Sequence, residues 1–136
     1  MRLLVDSCVW SLSFRRRPET LLNNDQKRMV VEFEQAIAEG RVAMIGAIRQ
    51  EVLSGIREKT QFLRTQDALK PFLDEEMIPS DYVEAARLYN LGLDRGAQCG
   101  STDMLITAVA ARKNLTVFTY DKALIRCLEV LEIPRV

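Results

Sequence analysis

Four acidic side chains stand where they could do chemistry. Asp6 closes the run Leu3-Leu4-Val5, and Asp121 closes Leu115-Thr116-Val117-Phe118-Thr119-Tyr120. Short, largely apolar runs of this kind read as strands buried on both faces. If the two strands lie side by side and parallel, both aspartates fall at the carboxyl edge of a sheet, where open α/β sheets collect ligands. Asp103 opens an apolar helix just before the second run, and Glu51 lies in a helix that follows a short strand at Arg41-Val42-Ala43-Met44-Ile45. All four can therefore project toward one end of the sheet. Carboxylates gathered without a partner repel, so one must take up a proton or the group must hold a cation. Hard oxygen donors suit Mg²⁺ or Mn²⁺. Such an ion lowers the pKa of bound water and neutralises charge on a phosphoryl oxygen. Thr119 and Ser101 add hydroxyls close to the same place. Taken singly, Asp6 and Asp121 read equally well as helix caps, Asp103 as a complement to the positive end of its helix, and Glu51 as a solvated face residue. Only their joint placement points to a site.

Composition removes several other chemistries. The 136 residues include no histidine. Ser-His-Asp and Cys-His catalysis, histidine-based ribonuclease chemistry and nearly all catalytic zinc sites are thereby excluded. The six glycines are scattered, and no phosphate-binding glycine motif occurs. Cys8, Cys99 and Cys127 are odd in number and widely spaced, with no CxxC pair. Neither a zinc site nor a disulfide framework is expected, and a reducing cytoplasm fits. Lys plus Arg and Asp plus Glu number 19 each, a balance that permits a nucleic-acid partner without favouring one. The densest basic patch, Arg15-Arg16-Arg17, falls in a loop that could reach phosphates or simply be solvated. No apolar run approaches the roughly 20 residues that span a bilayer. The first residues are too few and too acidic for a signal peptide.

The elements that must position the acids follow from periodicity. One domain over residues 1–136 is expected from length. Ser7 can cap a short helix carrying Trp10 and Phe14 on one face. Asn23 or Asn24 can cap the next, which has Met29, Val30, Phe33 and Ile37 in a stripe closed by Gly40. Ile48 and Val52 line the helix of Glu51, and Glu58 to Leu69 forms another. Glu76-Met77-Ile78-Pro79 is a strand candidate. Ser80 or Asp81 caps a longer helix ending before Gly96. Ser101-Thr102-Asp103 opens the apolar helix, Leu124, Ile125, Leu128 and Leu131 mark the last one, and Ile133-Pro134-Arg135-Val136 can add an edge strand. Trp10, Tyr82 and Tyr89 read as core or interface residues. Strands alternating with helices predict a parallel sheet flanked by helices.

The residues around the four acids resemble PIN-domain ribonucleases of the VapC toxin type. Leu4-Val5-Asp6-Ser7-Cys8-Val9-Trp10 is similar to the family's opening. Glu51-Val52-Leu53-Ser54-Gly55-Ile56-Arg57 resembles its glutamate helix. Gly100-Ser101-Thr102-Asp103-Met104-Leu105-Ile106, followed by Ala108-Val109-Ala110, resembles its central signature, and Thr119-Tyr120-Asp121 its T-x-D strand end. No one motif is specific alone; the four in order are. The resemblance implies an α/β, PIN-like three-layer sandwich with a parallel sheet of about five strands. It implies a Mg²⁺- or Mn²⁺-dependent endoribonuclease that cleaves single-stranded or structured RNA, such as tRNA or rRNA loops, by a metal-activated water. That enzyme would be the toxin of a type II toxin–antitoxin system, with a small cognate antitoxin and homodimerisation. Asp6, Glu51, Asp103 and Asp121 carry over as the metal-binding acids. Asp6 and Asp103 would be the direct ligands, Glu51 and Asp121 would act through water or on a second ion, and Thr119 would support the cluster. One departure is visible. The family often has Asp-x-Asp-Phe where this chain has Asp121-Lys122-Ala123-Leu124, a change expected to touch packing more than chemistry. Two other readings are a catalytically inactive PIN-fold module that binds RNA or protein, and a receiver-like phosphoryl acceptor. The latter needs adjacent acids on an early strand, where Arg2 to Ser7 supplies only Asp6.

Overall fold

The computed structural model describes residues 1–14 and 21–136; the Arg15-Arg16-Arg17 patch lies outside them. In chain order the elements are β1 (Leu3–Val5), α1 (Ser7–Phe14), α2 (Asn24–Ala38), β2 (Val42–Ala43), α3 (Gly46–Leu53), α4 (Lys59–Leu69), α5 (Pro79–Asp94), α6 (Ser101–Lys113), β3 (Thr116–Phe118) and α7 (Lys122–Val130). The sheet runs β2-β1-β3, parallel throughout, with Leu4 opposite both Ala43 and Val117 and Val5 opposite Phe118. Leu3, Leu4 and Val5 are essentially inaccessible to solvent, as a central parallel strand covered on both faces must be.

The sheet is narrower than the five strands expected. Three strands form among the described residues, and a further segment meets each edge through a single bridge, Met44 with Asp74 and Val117 with Arg135. Each bridge carries one main-chain bond, Glu75 N–H to the Met44 carbonyl at 2.7 Å and Val136 N–H to the Val117 carbonyl at 3.0 Å. The ladders stop for local reasons. Pro134 has no N–H to donate. Ile78 donates its N–H to Asp81 Oδ2 at 2.9 Å, and Pro79 already opens α5. The strand candidate Glu76-Met77-Ile78-Pro79 is therefore a lead into a helix.

The helices are set by a few specific contacts. Trp10 is fully buried, donates its indole N–H to the Val5 carbonyl at 3.0 Å, and meets Phe14, Phe33 and Phe72 edge-on at ring-centre distances of 5.2, 4.9 and 4.8 Å. Edge-to-face geometry of this kind adds to the gain from burial, and here it ties α1 and α2 to one side of the sheet. Asn23 caps α2 in a reciprocal box with Gln26. The residue at the head of α1 is Asp6, not Ser7: its carbonyl accepts the first helical bonds from Val9 and Trp10. Likewise Ile78 precedes α5, and Asp81 lies inside its first turn. Asp81 is buried and paired with Arg112 of α6 at 2.6 and 2.9 Å. The Arg112 guanidinium holds its carboxyl below the usual carboxylate range. A Cβ on Gly92 of α5 would come within 3.1 Å of both the Ala97 carbonyl oxygen and Cys99 Sγ, so the chain closes tightly there. Leu124, which stands where the family often has an aromatic, is fully buried.

The expectation of unpaired cysteines is overturned. Cys99 and Cys127 form a disulfide, with Cα atoms 6.0 Å apart across 28 residues of chain. Sequence spacing gave no hint of it, because the fold brings the loop before α6 against α7. Among the described residues, no helix is long and apolar enough to cross a membrane.

Candidate active site

Strand register builds the site. Asp6 N–H donates to the Phe118 carbonyl at 2.9 Å, one step past the end of β1. This places Asp6 against Thr119, the residue after β3. Both are buried, 3% and 2% exposed. Thr119 donates its hydroxyl to Asp6 Oδ2 at 2.8 Å, and Thr119 Oγ1 in turn accepts the Asp121 N–H at 3.0 Å. A single hydroxyl thus joins the two strand ends. Asp6 Oδ1 accepts the Ser7 N–H at 2.8 Å. Asp121 Oδ1 accepts the Ala123 N–H at 2.8 Å and so caps α7. The capping role and a place at the acidic edge are both real for this residue.

Asp103 sits in the first turn of α6, half-buried. Gly100 precedes the helix, and a Cβ there would lie 3.3 Å from Asp103 Oδ2. Burial, and then the negative charges of Asp6, Asp121 and Glu51, push the Asp103 carboxyl up to about 7. The charges of Asp6, Asp121 and Glu51 are thus all felt at Asp103. Glu51 reaches it from the exposed side of α3, where Ser7 donates its hydroxyl to Glu51 Oε1. Among the described residues, none of the four acids is in an ion pair with lysine or arginine; the pairs formed involve Asp25, Glu39, Asp67, Asp74, Glu75, Asp81 and Glu84 instead. Among the described residues, no ion pair offsets their negative charge. A hard divalent cation is the group that donor set fits. Among the described residues, no three acidic or cysteine side chains are gathered closely enough to ligate one ion together. An ion such as Mg²⁺ does not need that, since it is commonly held by one or two carboxylates and retains several waters.

Sequence reasoning passed over two supporting residues. Ser7 orients Glu51, as above. Cys8 Sγ lies 3.4 Å from Asp6 Oδ2 and 3.5 Å from Thr119 Oγ1, and its carbonyl accepts the Tyr120 hydroxyl at 3.2 Å. Burial, then the Asp6 charge, push the Cys8 thiol up to about 11, so it stays neutral and acts as a weak donor rather than a nucleophile. The signal for both was their adjacency to Asp6 at the head of a helix. Ser101, expected to add a hydroxyl near the acids, lines a groove between α5 and α6.

Parallel strands flanked by helices, with acidic residues at one sheet edge, define an α/β domain. The sequence matches the family model described as PIN domain over residues 3–127, and the chain belongs to that family, whose members are generally nucleases. Among solved structures it is similar to FitAcB from Neisseria gonorrhoeae, with a TM-score of 0.70 and 20% identity over 98% of this chain and 95% of that one. At that identity the likeness is one of fold. No curated protein matches the sequence.

Proposed function

We propose that residues 1–136 are one PIN-like nuclease domain acting as a Mg²⁺- or Mn²⁺-dependent endoribonuclease on single-stranded or structured RNA. In the same reading it is the cytoplasmic toxin of a type II toxin–antitoxin pair, a homodimer with a small cognate antitoxin. The observation that carries the nuclease reading is geometric: Thr119 ties Asp6 to the Asp121 backbone at one sheet edge, and among the described residues none of Asp6, Glu51, Asp103 and Asp121 is in an ion pair. The toxin reading rests on the order of the four motifs around those acids.

Asp6 and Asp103 would hold the ion directly, with Glu51 and Asp121 acting through water or at a second ion. Bound there, the ion supplies an acidified water and charge neutralisation at phosphorus. The protein's own part is orientation. Thr119 fixes the Asp6 carboxylate with one oxygen toward β3, and the Ser7 N–H fixes the other. Ser7 Oγ holds Glu51 toward the same edge. Asp121 keeps its place because its N–H is bound to Thr119 and one carboxylate oxygen to α7.

The test is RNA cleavage with Mg²⁺ or Mn²⁺ by the wild-type protein, Asp6→Ala and Asp103→Ala. Equal rates for all three would remove the site. The second reading, an inactive PIN-fold module that binds RNA or protein, draws on the absence of a close three-ligand cluster among the described residues. Calorimetry with each metal separates the two: heat of binding and a gain in thermal stability accompany a working site.

A further inference from the structure

We propose that Tyr120 is a positioning residue of the acidic edge: its phenol holds the first turn of α1, and through Ser7 the carboxylate of Glu51, in place against the end of β3. This rests on the ribonuclease reading above and names a further residue on which that site depends. Tyr120 stands in the short link between Phe118, the last residue of β3, and Lys122, the first of α7. Both its neighbours are tied into the site, Thr119 by its bond to Asp6 and Asp121 by its bond to Thr119. Tyr120 itself is half-buried and donates its hydroxyl to the Cys8 carbonyl at 3.2 Å. Cys8 lies between Ser7, whose hydroxyl goes to Glu51, and Val9, whose N–H goes to the Asp6 carbonyl.

The need for such a hold comes from α1 itself. It has eight residues, a length at which a helix is marginal on its own and takes its orientation from tertiary contacts. One such contact lies in the core, where the Trp10 indole reaches the Val5 carbonyl at 3.0 Å. The other lies at the site. Among the described residues, the Tyr120 hydroxyl is the one side-chain donor from outside α1 to the α1 main chain. The strand ends are joined without it, since Asp6 N–H is bound to the Phe118 carbonyl and Thr119 to the Asp6 carboxylate. Those bonds fix Asp6 but leave Ser7, and Glu51 with it, to the orientation of the helix. A carbonyl oxygen has two lone pairs, so the phenol adds to a helical bond at Cys8 rather than displacing it. The path from β3 to Glu51 is therefore short: the phenol, the Cys8 carbonyl, one peptide unit, the Ser7 hydroxyl and the carboxylate. Phenylalanine would fill the same space, so the hydroxyl alone carries this role.

The experiment has two readouts. The first is amide hydrogen exchange of the metal-free wild-type protein and Tyr120→Phe, which needs no activity. Residues 7–12 should exchange about fivefold faster in the variant, the effect of one hydrogen bond between neutral groups, while α5 and α6 keep the wild-type rate. The second is steady-state cleavage of a short RNA with Mg²⁺ or Mn²⁺ by wild type, Tyr120→Phe, Ser7→Ala and the double variant. Tyr120→Phe should lower kcat about fivefold with KM within about twofold, since Tyr120 acts through Glu51 and not on the substrate. The double variant should match Ser7→Ala within about twofold, because both changes cut the same path. Losses that multiply in the double variant overturn the route through Ser7. Exchange that is unchanged in residues 7–12, or faster in every segment alike, overturns the positioning role in favour of none or of a general loosening. An active wild type with kcat unchanged in Tyr120→Phe fells this inference and leaves the nuclease standing. Absence of cleavage by the wild-type protein fells the ribonuclease reading itself, and this inference with it.

Discussion

Thr119 donates to Asp6 across the sheet while its hydroxyl oxygen accepts the Asp121 N–H, at 2.8 and 3.0 Å. The hydroxyl has one proton to give, and the Asp6 contact uses it. Both Thr119 and Asp6 are buried, so removing the hydroxyl leaves the Asp6 carboxylate short of a donor away from water and takes the acceptor from the Asp121 N–H. Thr119→Val should lower stability by about 1–3 kcal/mol, measured by urea unfolding. RNA cleavage should fall with it, because Asp6 is no longer held in one orientation. Thr119→Ser keeps the hydroxyl and should retain most of both. Full activity in Thr119→Val would mean that the Asp6 rotamer does not matter.

Asp103 gives a pH dependence of unusual sign. Its carboxyl is raised in the folded protein from the ordinary 3.8 to about 7. Between those values the folded chain binds the proton and the unfolded chain does not, so metal-free stability falls as pH rises from about 4 to about 7 and then levels off. With the discount due to a half-buried group, the fall should be about 1–2 kcal/mol. Asp103→Asn should abolish this component and make the metal-free protein more stable than wild type at about pH 8. Thermal unfolding in EDTA across the pH range reads both effects. A wild-type protein that gains stability over the same interval, relative to Asp103→Asn, would contradict the cluster.

Metal removal gives a separate readout. A cation bound only by the folded state stabilises it by mass action, by about 2.7 kcal/mol at a hundredfold excess over Kd. Adding Mg²⁺ or Mn²⁺ after EDTA treatment should therefore raise Tm. The rise should be larger at about pH 8 than near pH 5, because protons and the cation compete for Asp103. It should be nearly absent in Asp103→Asn. An equal rise in wild type and variant would place the cation elsewhere.

Much of this edge was legible from residue order. Asp6 and Asp121 close runs that do form β1 and β3, and a helix does open at Ser101. The apolar pattern that makes a central parallel strand is strong, since both faces are buried. What escaped was decided by long-range geometry. Ile133-Pro134-Arg135-Val136 meets the edge-strand expectation only to the extent of one bridge, since Pro134 has no donor, whereas on the other edge the bridge falls at Asp74, ahead of the candidate Glu76-Met77-Ile78-Pro79 that leads into α5. The Cys99–Cys127 bond depends on how α7 packs, which spacing does not encode. Tyr82 read as a core or interface residue, and its exposure on α5 removes the core half of that reading. The supporting role of Ser7 was hidden for another reason: a serine at a helix head reads first as a cap, while here its hydroxyl is turned to Glu51.

Asp81 and Arg112 hold α5 against α6 beneath the groove side of the fold. Asp81 has its side chain 1% exposed and accepts from Arg112 and from the Ile78 N–H, whereas Arg112 is 30% exposed. Its carboxyl is held low, first by the Arg112 hydrogen bonds. The stability it contributes is present above the unfolded value of about 3.9 and is lost as pH falls below that through the lower folded value. Acid unfolding of wild type should therefore be steeper in this window than that of Asp81→Asn. The variant should also be less stable at neutral pH, since it weakens the charge-assisted hydrogen bonds from Arg112 that tie α6 to α5. A neutral-pH stability equal to wild type would show that the pair orients the helices without stabilising them.

The disulfide acts on the same part of the molecule from the other side. Cys99 precedes Gly100 and the first turn of α6, while Cys127 lies in α7, the helix capped by Asp121. The bond closes a loop across 28 residues, so reduction should cost about 2–4 kcal/mol by freeing the unfolded chain. Reduction also releases the segment that carries Asp103 from the element that carries Asp121. Urea unfolding with and without a thiol reductant measures the first effect, and metal affinity by calorimetry measures the second. Close packing sets a limit on the second effect. Gly92 leaves only enough room for the Ala97 carbonyl and Cys99 Sγ, so α5 still confines the loop after reduction. Metal affinity should accordingly drop far less than stability. Gly92→Ala should do the reverse, crowding Cys99 and the Ala97 carbonyl at a cost of about 1–3 kcal/mol even with the bond intact. A reduced protein that unfolds at the same urea concentration as the oxidised one would show that the bond does not constrain the chain.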